Sequence, residues 1–224
     1  MKIVLVIPLY NEEKHIISLL NKLARQKVSV VVVDDGSGDS SLNLVREFCK
    51  KHEGTTVLSH RINLGKGAAM KTGADFAFEK GADAVIFMDS DEQHNPDDLD
   101  KFAKMLVSGK FGVVFGSRDY GLGVPLVRFL GNKFASILIN LIFGIYVSDS
   151  ICGYRAMTKD AYKKIRWDSS GYGVETEILA RVGKNKIPFC EVKVDTIYHD
   201  SVKGVTLLDA FSILPQVVKW WLTI

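Results

Sequence analysis

Over its first hundred residues the chain alternates short unbroken apolar runs with longer stretches whose apolar residues recur every three or four positions. Lys2 to Pro8 is the first such run and reads as a strand buried on both faces. Asn11-Glu12-Glu13 then opens a helix that puts Ile16, Ile17, Leu19, Leu20, Leu23 and Ala24 on one face. Val28 to Val33 predicts a second strand, Ser40 to Lys51 a helix, and Thr55 to Ser59 a third strand. Asn63-Leu64-Gly65-Lys66-Gly67-Ala68 and a helix to about Lys80 follow, then a fourth strand over Ala84 to Met88 and a fifth over Phe111 to Gly116. Such regular alternation implies an α/β fold, a mostly parallel central sheet covered by helices and joined by right-handed crossovers.

The alternation breaks after Gly121. Phe134 to Val147 is almost wholly apolar apart from Ser136 and Asn140. About 14 apolar residues cannot cross a hydrocarbon core about 30 Å thick. The segment therefore reads as a core helix, or as a helix lying in a membrane interface with Arg128 and Lys133 at headgroup level. The tail over 205–224 reads as an amphipathic helix: Leu207, Leu208, Phe211, Ile213, Leu214, Val217, Val218, Trp220, Trp221 and Leu222 are interrupted by Asp209, Pro215, Gln216 and Lys219. Adjacent tryptophans beside a lysine suit a water–lipid boundary; a contact between two copies of the chain, a homodimer, fits the same pattern.

Composition narrows the classes. A chain of 224 residues suits one α/β domain. With 29 Lys+Arg against 26 Asp+Glu the net charge is +3, and no polybasic tract occurs, so nucleic acid is not an expected partner. Cys49, Cys152 and Cys190 are odd in number and form no C-x-x-C, which points to reduced thiols and a cytosolic setting, neither a disulfide framework nor a zinc site. Met1-Lys2-Ile3-Val4 runs straight into a strand, leaving no room for a signal peptide.

Chemistry gathers at the carboxyl ends of the expected strands, the rim where open α/β sheets place ligands. Pro8-Leu9-Tyr10-Asn11-Glu12 follows the first strand and Asp34-Asp35-Gly36-Ser37 the second. The fourth stops at Asp89-Ser90-Asp91-Glu92-Gln93-His94. In an extended segment alternate side chains point the same way, so Asp89, Asp91 and Gln93 would present oxygens to one side. Such a hard, oxygen-rich set suits Mg²⁺ or Mn²⁺ already carrying phosphate oxygens. The same residues also make an acidic turn before a helix that starts at Asn95-Pro96-Asp97-Asp98. Helix capping explains one carboxylate per strand end, not the pairs at Asp34-Asp35 and Asp89/Asp91.

Two other motifs fail. Gly36-Ser37-Gly38-Asp39-Ser40-Ser41 begins like a dinucleotide fingerprint but has Ser41 at the third glycine and follows two aspartates. Gly65-Lys66-Gly67 lacks the Ser/Thr of a P-loop, and His60 stands where its first glycine belongs.

Taken together, Ile7-Pro8-Leu9-Tyr10-Asn11-Glu12, Val33-Asp34-Asp35-Gly36-Ser37, Asn63-Leu64-Gly65-Lys66-Gly67 and Asp89-Ser90-Asp91-Glu92-Gln93-His94 resemble family-2 glycosyltransferases of GT-A fold, nearest the dolichol- or polyprenyl-phosphate sugar synthases such as the dolichol-phosphate mannose synthases. The likeness continues through Gly116-Ser117-Arg118, Asp149-Ser150-Ile151-Cys152-Gly153-Tyr154-Arg155 and Glu175-Thr176-Glu177, and fades after about residue 200. It implies one GT-A domain over 1–204, with a nucleotide-binding half to about residue 118 and an acceptor half beyond it. It further implies transfer of a hexose from a GDP- or UDP-sugar to dolichyl or polyprenyl phosphate, by a peripheral enzyme on the cytosolic face of a membrane. Asp89 and Asp91, with Gln93, would hold the cation; Pro8, Tyr10, Glu12, Asp35, Lys66 and Ser90 would hold the donor nucleotide. Arg118, Arg128, His199 and Lys203 would hold phosphate and acceptor, with Asp149 and Arg155 in the substrate-facing wall or paired to each other. His199 departs from the family pattern, which has an arginine there. A lipid phosphate is already ionised near pH 7, so such a site needs cations more than a general base. Glycines in Ser169-Ser170-Gly171-Tyr172-Gly173 suit a loop that closes over substrate, or a simple turn. A sugar-1-phosphate nucleotidyltransferase, a glycosyltransferase with a non-lipid acceptor, and a non-catalytic membrane-docking protein of the same fold are the alternatives. The first would want a glycine-rich, basic loop where Tyr10-Asn11-Glu12 stands.

Overall fold

The structure, a computed structural model, describes residues 1–118, 126–171, 173–195 and 216–223, with the side chains of 126–130 outside the description. Strands β1 (Ile3–Leu9), β2 (Ser29–Asp34), β3 (Thr55–Ser59), β4 (Ala84–Phe87), β5 (Val113–Arg118), β6 (Arg155–Thr158) and β7 (Phe189–Val194) form one sheet in the order β3-β2-β1-β4-β6-β5-β7. Among the described residues only β6 runs antiparallel, to both β4 and β5; the other pairings are parallel. Between them run α1 (Ile16–Ala24), α2 (Ser41–Cys49), α3 (Lys66–Glu79), α4 (Leu99–Val107), α5 (Leu126–Phe143), α6 (Lys159–Ile165) and α7 (Val174–Lys184).

Strand period two explains the two cores. Val4, Val6, Val31, Val33, Val85 and Phe87 face one side, under residues of α3, α5, α6 and α7. Leu5, Ile7, Val30, Val32, Ile86 and Met88 face the other, under α1, α2 and α4. Both faces are covered, which is why these strands read as unbroken apolar runs.

Three elements depart from expectation. The first helix begins at Ile16 rather than Asn11. Asn11 takes a left-handed backbone (φ 52°), its Oδ1 accepts from Gly38 N at 2.8 Å, and Glu13 Oε2 accepts from Ser40 N at 3.0 Å. Those side chains tie two strand-end loops together instead of starting a helix. In α5 the apolar residues divide: Ile139 and Phe143 are buried in the core together with polar Asn132 and Ser136, while Phe134, Ile137 and Leu141 form an exposed stripe. Asn132 is satisfied in the interior, accepting from Ser150 Oγ (2.7 Å) and N (3.1 Å) and donating to Asp149. The tail is helical over 216–223, with Val217 and Trp220 buried in the core. Among the described residues no helix is long and apolar enough to cross a membrane. The start at Asn95 does occur, as a 3-10 turn over Pro96–Asp98 capped by the Asn95 side chain and leading into α4.

Candidate functional site

The carboxyl ends of β1, β2 and β4 and the start of α3 enclose a cleft of about 340 Å³. Pro8, Tyr10, Glu12, Asp35, Lys66, Asp89, Ser90 and Asp91 line it, joined by Asn63, Gly65 and Gly171. Tyr10 stands at the rim, 48% exposed. Every residue expected to hold the donor nucleotide therefore borders a single cavity.

The acidic segment does not stay extended. β4 ends at Phe87 and Glu92 adopts φ 60°, turning its carboxylate away to Lys22 (2.8 Å) and Ser18 (2.6 Å) on α1. Strict alternation is lost there, so Asp89 and Asp91 reach the cleft and Gln93 is not among its lining residues. Gln93 N instead donates to Asp91 Oδ1 at 3.1 Å.

Lys66 sits on the floor of the cleft between two carboxylates, 2.6 Å from Asp89 Oδ1 and 2.8 Å from Glu175 Oε1. Burial alone would weaken its ammonium, but the charges of Asp89 and Glu175 outweigh burial and hold its pKa above the ordinary lysine value. Asp89 mirrors this. Burial opposes its charge, yet Lys66 and the His94 contact at 3.3 Å hold it well below the usual carboxylate range. The backbone of Gly153 packs flat against Asp89: a Cβ there would collide with Oδ2 and lie 2.9 Å from Cγ.

Asp35 is a hub for the loop before α3. Its Oδ1 accepts from Leu64 N (3.0 Å) and His60 Nδ1 (2.7 Å), and its Oδ2 accepts from Gly65 N (2.7 Å). Gly65 has φ 95° and no room for a Cβ, which would lie 2.5 Å from Ser170 O. The 167–171 loop is fastened over the start of α3: Ala68 N donates to Ser170 O (3.0 Å), Trp167 Nε1 to Gly67 O (2.9 Å), and buried Glu177 accepts from Asp168 N and Ser169 N. Residues 168–170 are thus tied to α3 and α7, and Tyr172 lies outside the described residues.

The acceptor side is organised differently from the sequence expectation. Asp149 and Arg155 do not pair. Asp149, with no exposed side chain, takes a bidentate contact from Arg118, Nε to Oδ2 at 2.7 Å and Nη2 to Oδ1 at 3.0 Å. Arg155 is buried and donates to Cys152 O and Glu175 O, which satisfies its fork with main-chain carbonyls. Burial pushes the neighbouring Cys152 thiol up to about 12, reinforced by Asp149. All three cysteines are free. Arg128 lies in the first turn of α5, its side chain beyond the description; His199 and Lys203 fall outside the described residues.

Sequence reasoning passed over His60, His94, Gly153 and the Lys66–Glu175 contact. His60, Gly153 and Glu175 meet partners far away in the chain, whereas His94 lies five residues after Asp89 in the same acidic segment. Among the described residues no three His, Cys, Asp or Glu side chains converge as a metal site. Two oxygen-donor carboxylates on a cleft wall nevertheless fit Mg²⁺, which takes one or two protein carboxylates and completes its shell with substrate phosphates and water.

Residues 4–166 match the sequence family described as Glycosyl transferase family 2. The UDP-N-acetylglucosamine–dolichyl-phosphate N-acetylglucosaminyltransferase of Methanococcus voltae is 32% identical, the alignment covering 94% of this chain and 92% of that protein. The polyprenol monophosphomannose synthase of Mycolicibacterium smegmatis is 27% identical over 96% of this chain and 83% of its own length. In fold, glucosyl-3-phosphoglycerate synthase from Mycobacterium tuberculosis, crystallised with Mn²⁺, UDP-glucose and phosphoglyceric acid, superposes with a TM-score of 0.70 at 21% identity, covering 99% of this chain and 79% of that one.

Proposed function

The chain belongs to glycosyl transferase family 2, and from that premise we propose that it moves a hexose from a nucleotide-diphosphate sugar to a polyprenyl (dolichyl) phosphate, with inversion at the sugar carbon. The observation that carries this is the cleft, where Pro8, Tyr10, Glu12, Asp35, Lys66, Asp89, Ser90 and Asp91 meet although they come from four separate stretches of sequence. The relatives from Methanococcus voltae and Mycolicibacterium smegmatis, named for dolichyl- or polyprenol-linked transfer, support the acceptor class.

In this reading the Tyr10 ring packs against the nucleoside at the rim and Asp35 accepts from the base. Asp89 and Asp91 would hold Mg²⁺ or Mn²⁺, which when bound neutralises the departing diphosphate. Lys66 keeps Asp89 ionised and adds positive charge beside the same diphosphate. The lipid phosphate attacks without a general base, so the acceptor side needs cations; Arg128, His199 and Lys203 are the candidates, together with Arg118, which Asp149 holds in place. Docking at the cytosolic face of a membrane, through the exposed stripe of α5 and the tail, would bring the lipid to the cleft.

The test is transfer of radiolabelled sugar into organic-extractable polyprenyl phosphate with Mg²⁺ or Mn²⁺ present. Wild-type chain should transfer, and Asp91→Ala should lose transfer with its thermal unfolding nearly unchanged. Normal turnover by Asp91→Ala would sink the assignment.

A further inference from the structure

Asp35 lines the nucleotide cleft, yet most of its hydrogen-bonding capacity is already taken up. A carboxylate offers about four acceptor positions, two on each oxygen. Oδ1 fills both of its own, with Leu64 N at 3.0 Å and His60 Nδ1 at 2.7 Å. Oδ2 fills one, with Gly65 N at 2.7 Å. A single acceptor position remains, and it belongs to Oδ2.

His60 is fixed in the orientation that produces this count. A carboxylate can only accept, so the proton of the short contact sits on Nδ1. On its other side, Nε2 meets Thr72 Oγ1 at 2.9 Å. The imidazole side chain is only 11% exposed and that of Asp35 4%, so solvent does not compete for either partner.

We propose that His60, held by Thr72, is a positioning residue that leaves Asp35 one free acceptor, so that the cleft takes a base presenting a lone ring N–H, uracil, and turns guanine away. This rests on the nucleotide-sugar reading of the cleft and specifies its donor as a uridine-diphosphate sugar. Guanine displays its N1–H and its amino group side by side, and a carboxylate satisfies both only when each oxygen has an acceptor open. Here the amino group would face a saturated Oδ1 and lose its bonds to water without replacement. Cytosine presents a lone pair where uracil has N3–H, and that lone pair faces the carboxylate. The imide N–H of uracil matches the single vacancy.

The experiment is isothermal titration of the full chain, in Mn²⁺, with UDP, GDP, CDP and UDP methylated at N3. UDP should bind at least about tenfold more tightly than each of the others. His60→Ala, which reopens Oδ1, should weaken UDP and shrink the UDP-to-GDP ratio several-fold. His60→Asn, whose side-chain amide nitrogen replaces the Nδ1 donor, should restore the ratio. Thr72→Val, which frees the imidazole to rotate while conserving volume, should shrink it as well and stands in if His60→Ala fails to fold. Equal or tighter binding of GDP or CDP overturns the proposal, as does indifference to N3 methylation. So do His60→Ala and Thr72→Val variants that leave the ratio where it was, since a merely structural role would lower all nucleotides alike. Sugar transfer from a GDP-sugar with matching GDP preference would defeat this proposal and leave the transferase reading standing. Failure of all nucleotides to bind would defeat both.

Discussion

Lys66 Nζ lies 2.6 Å from Asp89 Oδ1, and Glu175 holds the same ammonium from the opposite side at 2.8 Å. One buried cation thus compensates two carboxylates on the cleft floor. Removing it leaves Glu175 without this ion pair and Asp89 with only its 3.3 Å His94 contact, at a cost of about 3 kcal/mol by analogy with broken buried ion pairs. Lys66→Met should lower the unfolding free energy by that amount. Neutralising one orphan in Lys66→Met/Glu175→Gln should recover at least about 1 kcal/mol, because contacting residues are not additive. Urea unfolding of the four proteins closes the cycle; a double variant no more stable than Lys66→Met would show that Glu175 is not coupled to Lys66.

Gly153 sets where that carboxylate can sit. With a Cβ colliding with Asp89 Oδ2, Gly153→Ala must displace either the 152–154 wall or the carboxylate itself. Misplacement by about 1 Å can cost about 100-fold in rate, so transfer should fall by at least tenfold, with about 1–3 kcal/mol of stability lost to overpacking. Gly131→Ala is the control. That glycine lies within α5, and a methyl added there would meet nothing within 4 Å, so alanine should be neutral or stabilising by about 0.5–1 kcal/mol. Equal rates for Gly153→Ala and wild type would mean that Asp89 is not held by this wall.

The fold was legible because burial on both faces of a parallel sheet forces unbroken apolar runs, and β1, β2, β4 and the first half of β5 carry them. β6 and β7 were not anticipated. β6 is four residues long and begins with buried Arg155, whose charge disguises a core position until Cys152 O and Glu175 O are seen to satisfy it. β7 lies at the edge of the sheet beyond β5, half-buried and alternating with Glu191 and Lys193. The donor residues were legible because strand ends converge on one rim, so motifs far apart in sequence had to meet. Their partners were not, since Lys66–Glu175 and Asp35–His60 depend on the register between elements, which no single segment encodes. Likewise Ser136 interrupts the apolar run yet faces inward, and Asn132, just before the run, is buried to complete the Asp149 network.

Glu177 gives a pH dependence with a definite sign. Its carboxylate is fully buried and accepts from Asp168 N at 2.9 Å, Ser169 N at 2.7 Å and Arg181 Nε at 2.6 Å. Burial opposes its ionisation, but these bonds outweigh burial and hold its pKa below the ordinary glutamate value. A folded-state pKa lower than the unfolded value of about 4.3 makes the contribution complete above that pH and loses it as pH falls toward the folded value. Glu177→Gln should therefore be less stable than wild type by about 1–3 kcal/mol at pH 7, and the gap should close below about pH 4. Thermal unfolding of both proteins between pH 7 and 3 reads this directly; a gap that persists undiminished at pH 3 would place the loss in packing rather than charge.

Trp220 and Trp221 are neighbours with opposite surroundings, and they separate the two roles open to the tail. Trp220 is 5% exposed and packs in the core with Val217, whereas Trp221 is 57% exposed beside Val218 and Leu222. Truncating a buried tryptophan costs about 3–5 kcal/mol, so Trp220→Ala should lower Tm markedly. Trp221→Ala exposes nothing new and should change stability by less than about 0.5 kcal/mol. If the tail docks on lipid, as we propose, the exposed indole is the one that inserts. Trp221→Ala should then reduce co-sedimentation with anionic phospholipid vesicles several-fold at unchanged Tm. Binding equal to wild type, measured on a protein of unchanged stability, would remove Trp221 from the membrane contact and leave the exposed α5 stripe of Phe134, Ile137 and Leu141 to carry it.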